Sequence, residues 1–167
     1  ERLTLYGNSL TTALNRRFAL LEGLAAFVRT RMAGGMASAD FDAFAAGLHA
    51  SASGIRMLEA LPGGRAMFVY PLAGNEAIVG MNLLADDRPQ VQQDLRRALA
   101  TRRIALSGPY ELRQGGLGLV GRLALYEGER FWGLVVIVLQ VDDVLRAAGL
   151  EGQLEGLAFG IRTEAGT

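Results

Sequence analysis

The sequence predicts an α+β domain, in which a long helix leads into an antiparallel sheet with helices on one side. Three observations carry this. Apolar side chains recur at alternating threes and fours over residues 3–32, the spacing of a single helical face. A second amphipathic segment opens on Asp86-Asp87-Arg88-Pro89, an acidic, proline-bearing helix start. Beyond it, runs rich in Val, Ile, Leu and aromatic residues are separated by glycine turns, the pattern of hairpins.

The first helix presents Leu10, Leu14, Phe18, Leu21, Ala25, Val28 and Met32 on one side and ends at Gly34-Gly35. That stripe either faces the rest of the domain or, because a repeat near 3.5 is also a coiled-coil signal, forms a dimer seam through Leu10, Leu14, Phe18, Leu21 and Val28. A second helix is expected over residues 39–61, capped by Ser38 or Asp40, with Phe41, Phe44, Leu48, Ile55 and Leu58 as its apolar face and Pro62-Gly63-Gly64 as its stop. Residues 65–72 read as the first strand. Gly74-Asn75 is a turn, and residues 76–84 fit a short helix or a loop equally well.

The helix after Pro89 buries Val91, Leu95, Ala98 and Leu99. Arg96, Arg97, Arg102 and Arg103 gather towards its end, where cations suit the helix dipole. Short strands at 104–106 and 110–113 flank Ser107-Gly108-Pro109, and Gly115-Gly116 turns the chain into a long hairpin of residues 117–126 and 130–141. Asp142 or Asp143 starts a short helix that ends at Gly149, and residues 157–162 form a last strand or an exit segment. The expected organisation is a helical stalk at 1–35, a sheet domain at 36–163 and an exit linker at 164–167.

Composition narrows function more than it defines it. The 167 residues fit one domain plus a stalk; half are hydrophobic and a fifth charged. Formal net charge is zero, so no electrostatic footprint for nucleic acid is present. All 17 cationic side chains are Arg, which removes lysine chemistry. With no Cys, thiol catalysis, disulfides and iron–sulfur clusters are excluded. The single histidine, His49, has no Cys or His partner and reads as a plain surface or hydrogen-bonded residue rather than a metal ligand. The acidic pairs Asp86-Asp87 and Asp142-Asp143 stand where helix starts are expected. No metal, cofactor or catalytic residue is assigned. No apolar run reaches the roughly 18–20 residues of a membrane span, and a chain opening on Glu1 reads as an excised piece whose membrane segments lie outside it.

Gly116, Gly118 and Gly121 spell a dinucleotide-binding glycine pattern. In that role the pattern opens a helix, so that phosphate meets the helix N-terminus. Here it runs into the strand Arg122-Leu123-Ala124-Leu125-Tyr126, and its expected role is to let a hairpin twist.

The acidic loop, the helix that follows it, the Ser107-Gly108-Pro109 turn, the glycine hairpin and the Phe131-Trp132-Gly133 strand start together resemble the core of CHASE domains, over residues 41–150. CHASE domains are the extracytoplasmic sensory modules of bacterial and plant signalling receptors. The resemblance implies a PAS-like fold whose sheet and small helices enclose a ligand cavity. It further implies a periplasmic sensor that binds a small molecule, forms a homodimer through its N-terminal helix and meets the membrane only through flanking segments. The implied output is a cytoplasmic histidine kinase, diguanylate cyclase or phosphodiesterase, or adenylate cyclase.

Ser107 matches the hydroxyl position that contacts ligand in the plant cytokinin-receptor branch. The matching upstream loop, Pro71-Leu72-Ala73-Gly74, has no carboxylate before Glu76, and Asn82 stands where many members carry Asp. These departures argue against an adenine-type ligand and leave the ligand class open. The expected cavity is lined by Tyr70, Met81, Ser107, Pro109, Tyr110, Gln114, Gly116 and Leu117, with the tyrosines offering apolar rings with polar tips. Two other readings stand beside this one: a ligand-free module that dimerises or docks a periplasmic protein, and an enzyme, against which the missing Cys, Lys and His partners argue.

Overall fold

The computed structural model describes residues 2–150, and the expected last strand at 157–162 and exit linker lie outside them. Helix α1 (Arg2–Arg29) is followed by α2 (Ser38–Ala50) and then by two strands, β1 (Ile55–Pro62) and β2 (Phe68–Tyr70). Two single-turn 3₁₀ segments, Glu76–Ile78 and Leu83–Ala85, lead to α3 (Pro89–Thr101). Strands β3 (Ala105–Glu111), β4 (Leu117–Glu127) and β5 (Arg130–Gln140) and helix α4 (Val141–Ala147) complete the order. The strands form one sheet in the order β2-β1-β5-β4-β3, antiparallel throughout.

The expected α+β plan is present, with corrections. The second helix stops at Ala50 rather than at 61, and Ile55 and Leu58 belong to β1. The break is local: Ser51-Ala52-Ser53 offers poor helix formers, and Gly54 takes a φ of +76°, which ends the turn. Neither Ser38 nor Asp40 caps α2; Ala37 is its N-cap and no side chain bonds there. The helices also cover both faces of the sheet rather than one.

Alternation along the strands sorts their side chains between those faces. Ile55, Leu58, Ala60, Leu119, Leu123, Leu125, Val135, Ile137 and Leu139 join a core closed by α1, α2 and α4. Met57, Leu61, Val120, Ala124, Leu134, Val136 and Val138 face the other way, against Leu95 and Leu99 of α3 and Ile78 and Met81 of the connecting loop. Ser107-Gly108-Pro109 does not separate two strands; it is a register shift inside β3, with the Gly108–Pro109 peptide cis.

The apolar stripe of α1 faces its own sheet. Leu10, Leu21 and Val28 are buried within the same chain, Leu21 completely, and Leu14 packs against the same cluster. Phe18 reaches the sheet at Gly121, where a built Cβ would stand 3.3 Å from its ring. Arg17 anchors the helix: its guanidinium donates to the Ser53 carbonyl at 2.7 and 3.0 Å, to Ser53 Oγ at 3.2 Å and to the Ala13 carbonyl at 2.8 Å. No helix among the described residues is long and apolar enough to cross a membrane.

Candidate functional site

The α3 side of the sheet does not close fully. Between the strands and the loop carrying the two 3₁₀ turns lies a cavity of about 90 Å³. Its floor is apolar, built from Met57, Leu61, Val120, Val136 and Val138, and Ile78, Met81 and Leu83 face it from the loop. Apolar walls with a few convergent polar groups are the usual makeup of a small-molecule site.

Two of those polar groups rise from the floor itself. Glu59 on β1 and Arg122 on β4 are both paired with Val136 of β5, so the three form one row across the sheet. With strands about 4.8 Å apart, the backbones of Glu59 and Arg122 are separated by roughly 10 Å. Period-two alternation puts them here: Met57, Glu59 and Leu61 share a face, as do Val120, Arg122 and Ala124. Both are buried, with 6% and 4% of their surface exposed.

Most charges around the cavity have partners. Asp86 binds Arg88 at 2.9 Å and lies 3.7 Å from Arg113. The hydrogen bond from Arg88 is the main reason its carboxyl is held below the usual carboxylate range. Asp94 of α3 accepts from the Tyr110 hydroxyl and from Gln90 Nε2 at 3.2 Å, and lies 3.8 Å from Arg97. Burial, and then this bond to Asp94, push the Tyr110 hydroxyl's pKa up.

Glu59 and Arg122 are the exceptions. Arg122 Nη1 donates to Ser107 Oγ at 3.2 Å and its guanidinium lies 5.8 Å from the Tyr110 ring centroid, but its Nε has no partner. Glu59 Oε2 has none either, and no ion pair joins the two side chains. Burial pushes the Glu59 carboxyl up to about 7, with the Arg122 charge pulling the other way. Leaving a buried polar atom unbonded costs about 1–3 kcal/mol, more when it is charged, and here two such atoms belong to residues that line one cavity.

The structure places the expected site residues unevenly. Met81, Tyr110 and Gln114 line the cavity. Ser107 lies beside it rather than on its wall, 3% exposed, as the acceptor that orients Arg122. Tyr70 is on the opposite face, where it packs against the first core and meets His49 edge-on at 5.7 Å, because Val69 and not Tyr70 has the inward parity of β2. Pro109 sits in the β3 irregularity without reaching the cavity wall. Gly116 closes the β3–β4 turn by accepting from Leu112 N, and Leu117 is half exposed. Sequence reasoning missed Glu59, Arg122, Asp86, Arg88 and Arg113. For Arg122 a signal existed: one charged residue in the middle of an otherwise apolar run, residues 117–126.

The position of Ser107 changes what its substitution reports. Because Ser107 Oγ holds Arg122, Ser107→Ala probes that contact without adding bulk. It should cost about 1 kcal/mol of stability while weakening ligand binding through the freed guanidinium. Unchanged ligand response with reduced thermal stability would mean that Ser107 only packs.

A larger, open hollow of about 670 Å³ lies between α1 and α4. Its walls are mostly Ala and Ser, and its two arginines, Arg16 and Arg17, are already bonded to the carbonyls of Ser51 and Ser53. It offers a ligand no convergent unpaired group.

A five-stranded antiparallel sheet, entered by a long helix and holding a polar-centred cavity under short helical turns, defines a PAS-like sensor fold. The chain belongs to the CHASE domain family, which matches residues 36–166. Among solved structures it is similar to an extracellular ligand-binding receptor from Desulfohalobium retbaense, at a TM-score of 0.65 and 14% identity over 86% of this chain and 26% of that one. It is also similar to the ligand-binding domain of the Pseudomonas aeruginosa amino acid chemoreceptor PctC in complex with GABA, at 0.60 and 14% over 87% of this chain and 63% of that one. The Escherichia coli DcuS sensor domain matches at 0.56 and 14%, over 84% of this chain and 98% of that one. At these identities the likeness is one of fold. The chain spans about a quarter of the first of these structures and under two thirds of the second. No curated protein matches it in sequence.

Proposed function

We propose that the chain is the extracytoplasmic sensing part of a membrane-bound receptor and binds a small molecule in the cavity between the sheet and α3. The observation that carries this is a cavity in a CHASE domain lined by two buried charged residues, Glu59 and Arg122, each with a side-chain atom, Oε2 and Nε, that has no hydrogen-bond partner. Residues 1–35 serve as the stalk, 36–163 as the sensory domain and 164–167 as the exit. The periplasm is the compartment. The output is a cytoplasmic histidine kinase or a cyclic-dinucleotide enzyme, and this part of the receptor does no catalysis itself.

The receptor works as a homodimer through its N-terminal helix. A helix of 28 residues is about 42 Å long, enough to carry a displacement from the sheet to a membrane segment. Because Leu10, Leu21 and Val28 are buried in their own domain, the second chain docks on the exposed side of α1.

The test is native mass spectrometry of the freshly purified chain, paired with a thermal-shift screen of metabolites on wild type and Arg122→Gln. A ligand present at a hundred times its dissociation constant stabilises the folded state by about 2.7 kcal/mol. A bound or stabilising small molecule whose effect is lost in the variant is the expected result. A clean dimer without hits would instead favour the ligand-free partner module.

A further inference from the structure

From the floor of this cavity we infer the chemical class of ligand: a small amphoteric molecule, with an anionic group for Arg122 and a protonated amine for Glu59, lying across Val136. The inference rests on the proposed sensor function and goes further, because that function requires only some small molecule.

The argument is one of unmet pairing. Three carboxylates and four guanidiniums are associated with this cavity and its α3 wall: Glu59, Asp86 and Asp94, with Arg88, Arg97, Arg113 and Arg122. Asp86 is neutralised by Arg88 and Arg113, and Asp94 is held by Tyr110, Gln90 and Arg97. One acid and one base remain. They are close enough for the Arg122 charge to act on the Glu59 carboxyl, yet no ion pair joins them. The row Glu59–Val136–Arg122 accounts for this: a whole strand stands between their backbones, and the residue on it is a short, apolar Val.

A purely anionic ligand would satisfy Arg122 but leave Glu59 without a partner, repelled if ionised and unpaired if protonated. A purely cationic one would do the reverse at Arg122. A neutral apolar ligand would leave both orphan atoms buried without a bond. A molecule carrying both charges supplies a partner to each, with geometry as well as charge favouring the match. Its two charged groups must lie as far apart as the two side-chain ends, which a ladder of chain lengths can measure.

The experiment uses the 167-residue chain and defined probes. These are linear ω-amino acids from glycine to 6-aminohexanoate, the L-α-amino acids, and for each the matching carboxylic acid without the amine and amine without the carboxylate. Affinities are read by calorimetry and thermal shift on wild type, Glu59→Gln and Arg122→Gln. The expected result is that at least one amino acid binds wild type, and that its single-charge analogues bind at least tenfold more weakly. Glu59→Gln should weaken the amino acid at least tenfold while leaving the matching carboxylic acid unchanged.

A carboxylic acid that binds wild type as tightly as its amino analogue would overturn the inference and leave the sensor function standing. So would a metabolite from the wider screen whose binding needs Arg122 but is indifferent to Glu59→Gln. Failure of the entire panel also overturns it, and the metabolite screen then decides the sensor function separately. Glu59→Gln removes a buried charge, so a folded variant is expected, and circular dichroism confirms it before any titration.

Discussion

At pH 8 the Glu59→Gln variant melts above the wild-type domain, by roughly 6–12 °C for a stability gain of about 3 kcal/mol. The gain follows from the site. Burial pushes the Glu59 carboxyl from its ordinary 4.5 up to about 7, so the folded state resists its ionisation and the unfolded state does not. Below about pH 4.5 the group is protonated in both states and its contribution to stability is complete. As pH rises from there through 7, the unfolded chain releases the proton first, and stability falls by about 1.4 kcal/mol for each pH unit between the two values. Above 7 the loss is constant.

Glutamine mimics the protonated acid at every pH, so the two proteins should melt together near pH 4.5 and separate above it. The other charged or titratable side chains around the cavity are Arg122 on β4, Tyr110 on β3, and Asp86, Arg88 and Arg113 at the α3 side. Among them the Arg122 charge opposes the rise of the Glu59 pKa without cancelling it. Thermal denaturation at the two pH values checks the expectation, and identical curves at pH 8 would show that the buried carboxylate destabilises nothing. The same substitution is expected to weaken ligand binding. A residue whose replacement stabilises the fold and impairs the site is one held for function rather than for folding.

How far such a site was legible depends on what periodicity can and cannot separate. Helix α1, the start of α3 at Pro89 and the β4–β5 hairpin follow from spacing and turn chemistry, because each is long or sharply bounded. Strand β1 was not legible in the same way. Ile55 and Leu58 continue the threes-and-fours of Phe41, Phe44 and Leu48, so they read as helix although Met57, Glu59 and Leu61 alternate as a strand. That misassignment hid Glu59, since a glutamate on a helix is ordinarily solvated, whereas one inside a five-stranded sheet is not. Arg122 was visible as an arginine inside a glycine-rich strand. Its meaning appears only once Val136 is known to sit between it and Glu59, a relation between three strands that no local pattern contains. Tyr70 shows the complementary failure: in a strand of three residues, one step of parity decides which face a side chain reaches. The stripe on α1 has the same spacing whether it meets its own sheet or a second chain, and packing, not sequence, assigns it to the sheet.

Gly133→Ala is expected to cost about 3 kcal/mol or more, at the upper end of overpacking effects, and to lower the melting temperature by roughly 6–12 °C or more. Gly133 lies on β5, the central strand, paired with Pro62 of β1 on one side and Leu125 of β4 on the other. A Cβ built there would overlap the Leu61 carbonyl oxygen and come 2.9 Å from both the Leu61 carbonyl carbon and the Pro62 Cα. These are backbone atoms, so no side chain can rotate away; the β1–β5 ladder itself must separate. That ladder holds Glu59 two residues from Leu61, so a protein that survived the substitution would also carry a displaced cavity floor. Gly47→Ala provides the contrast. Gly47 is in the body of α2 with nothing within 4 Å of a built Cβ, and alanine there should raise stability by about 0.5–1 kcal/mol through helix propensity. Opposite shifts in melting temperature for the same chemical change would show that a close backbone approach at the Trp132-Gly133 strand start, rather than glycine's general flexibility, fixes that residue. Equal tolerance at both positions would mean that the end of the β1–β5 pair is looser than this geometry, and that the row across Val136 is not rigidly held from that end.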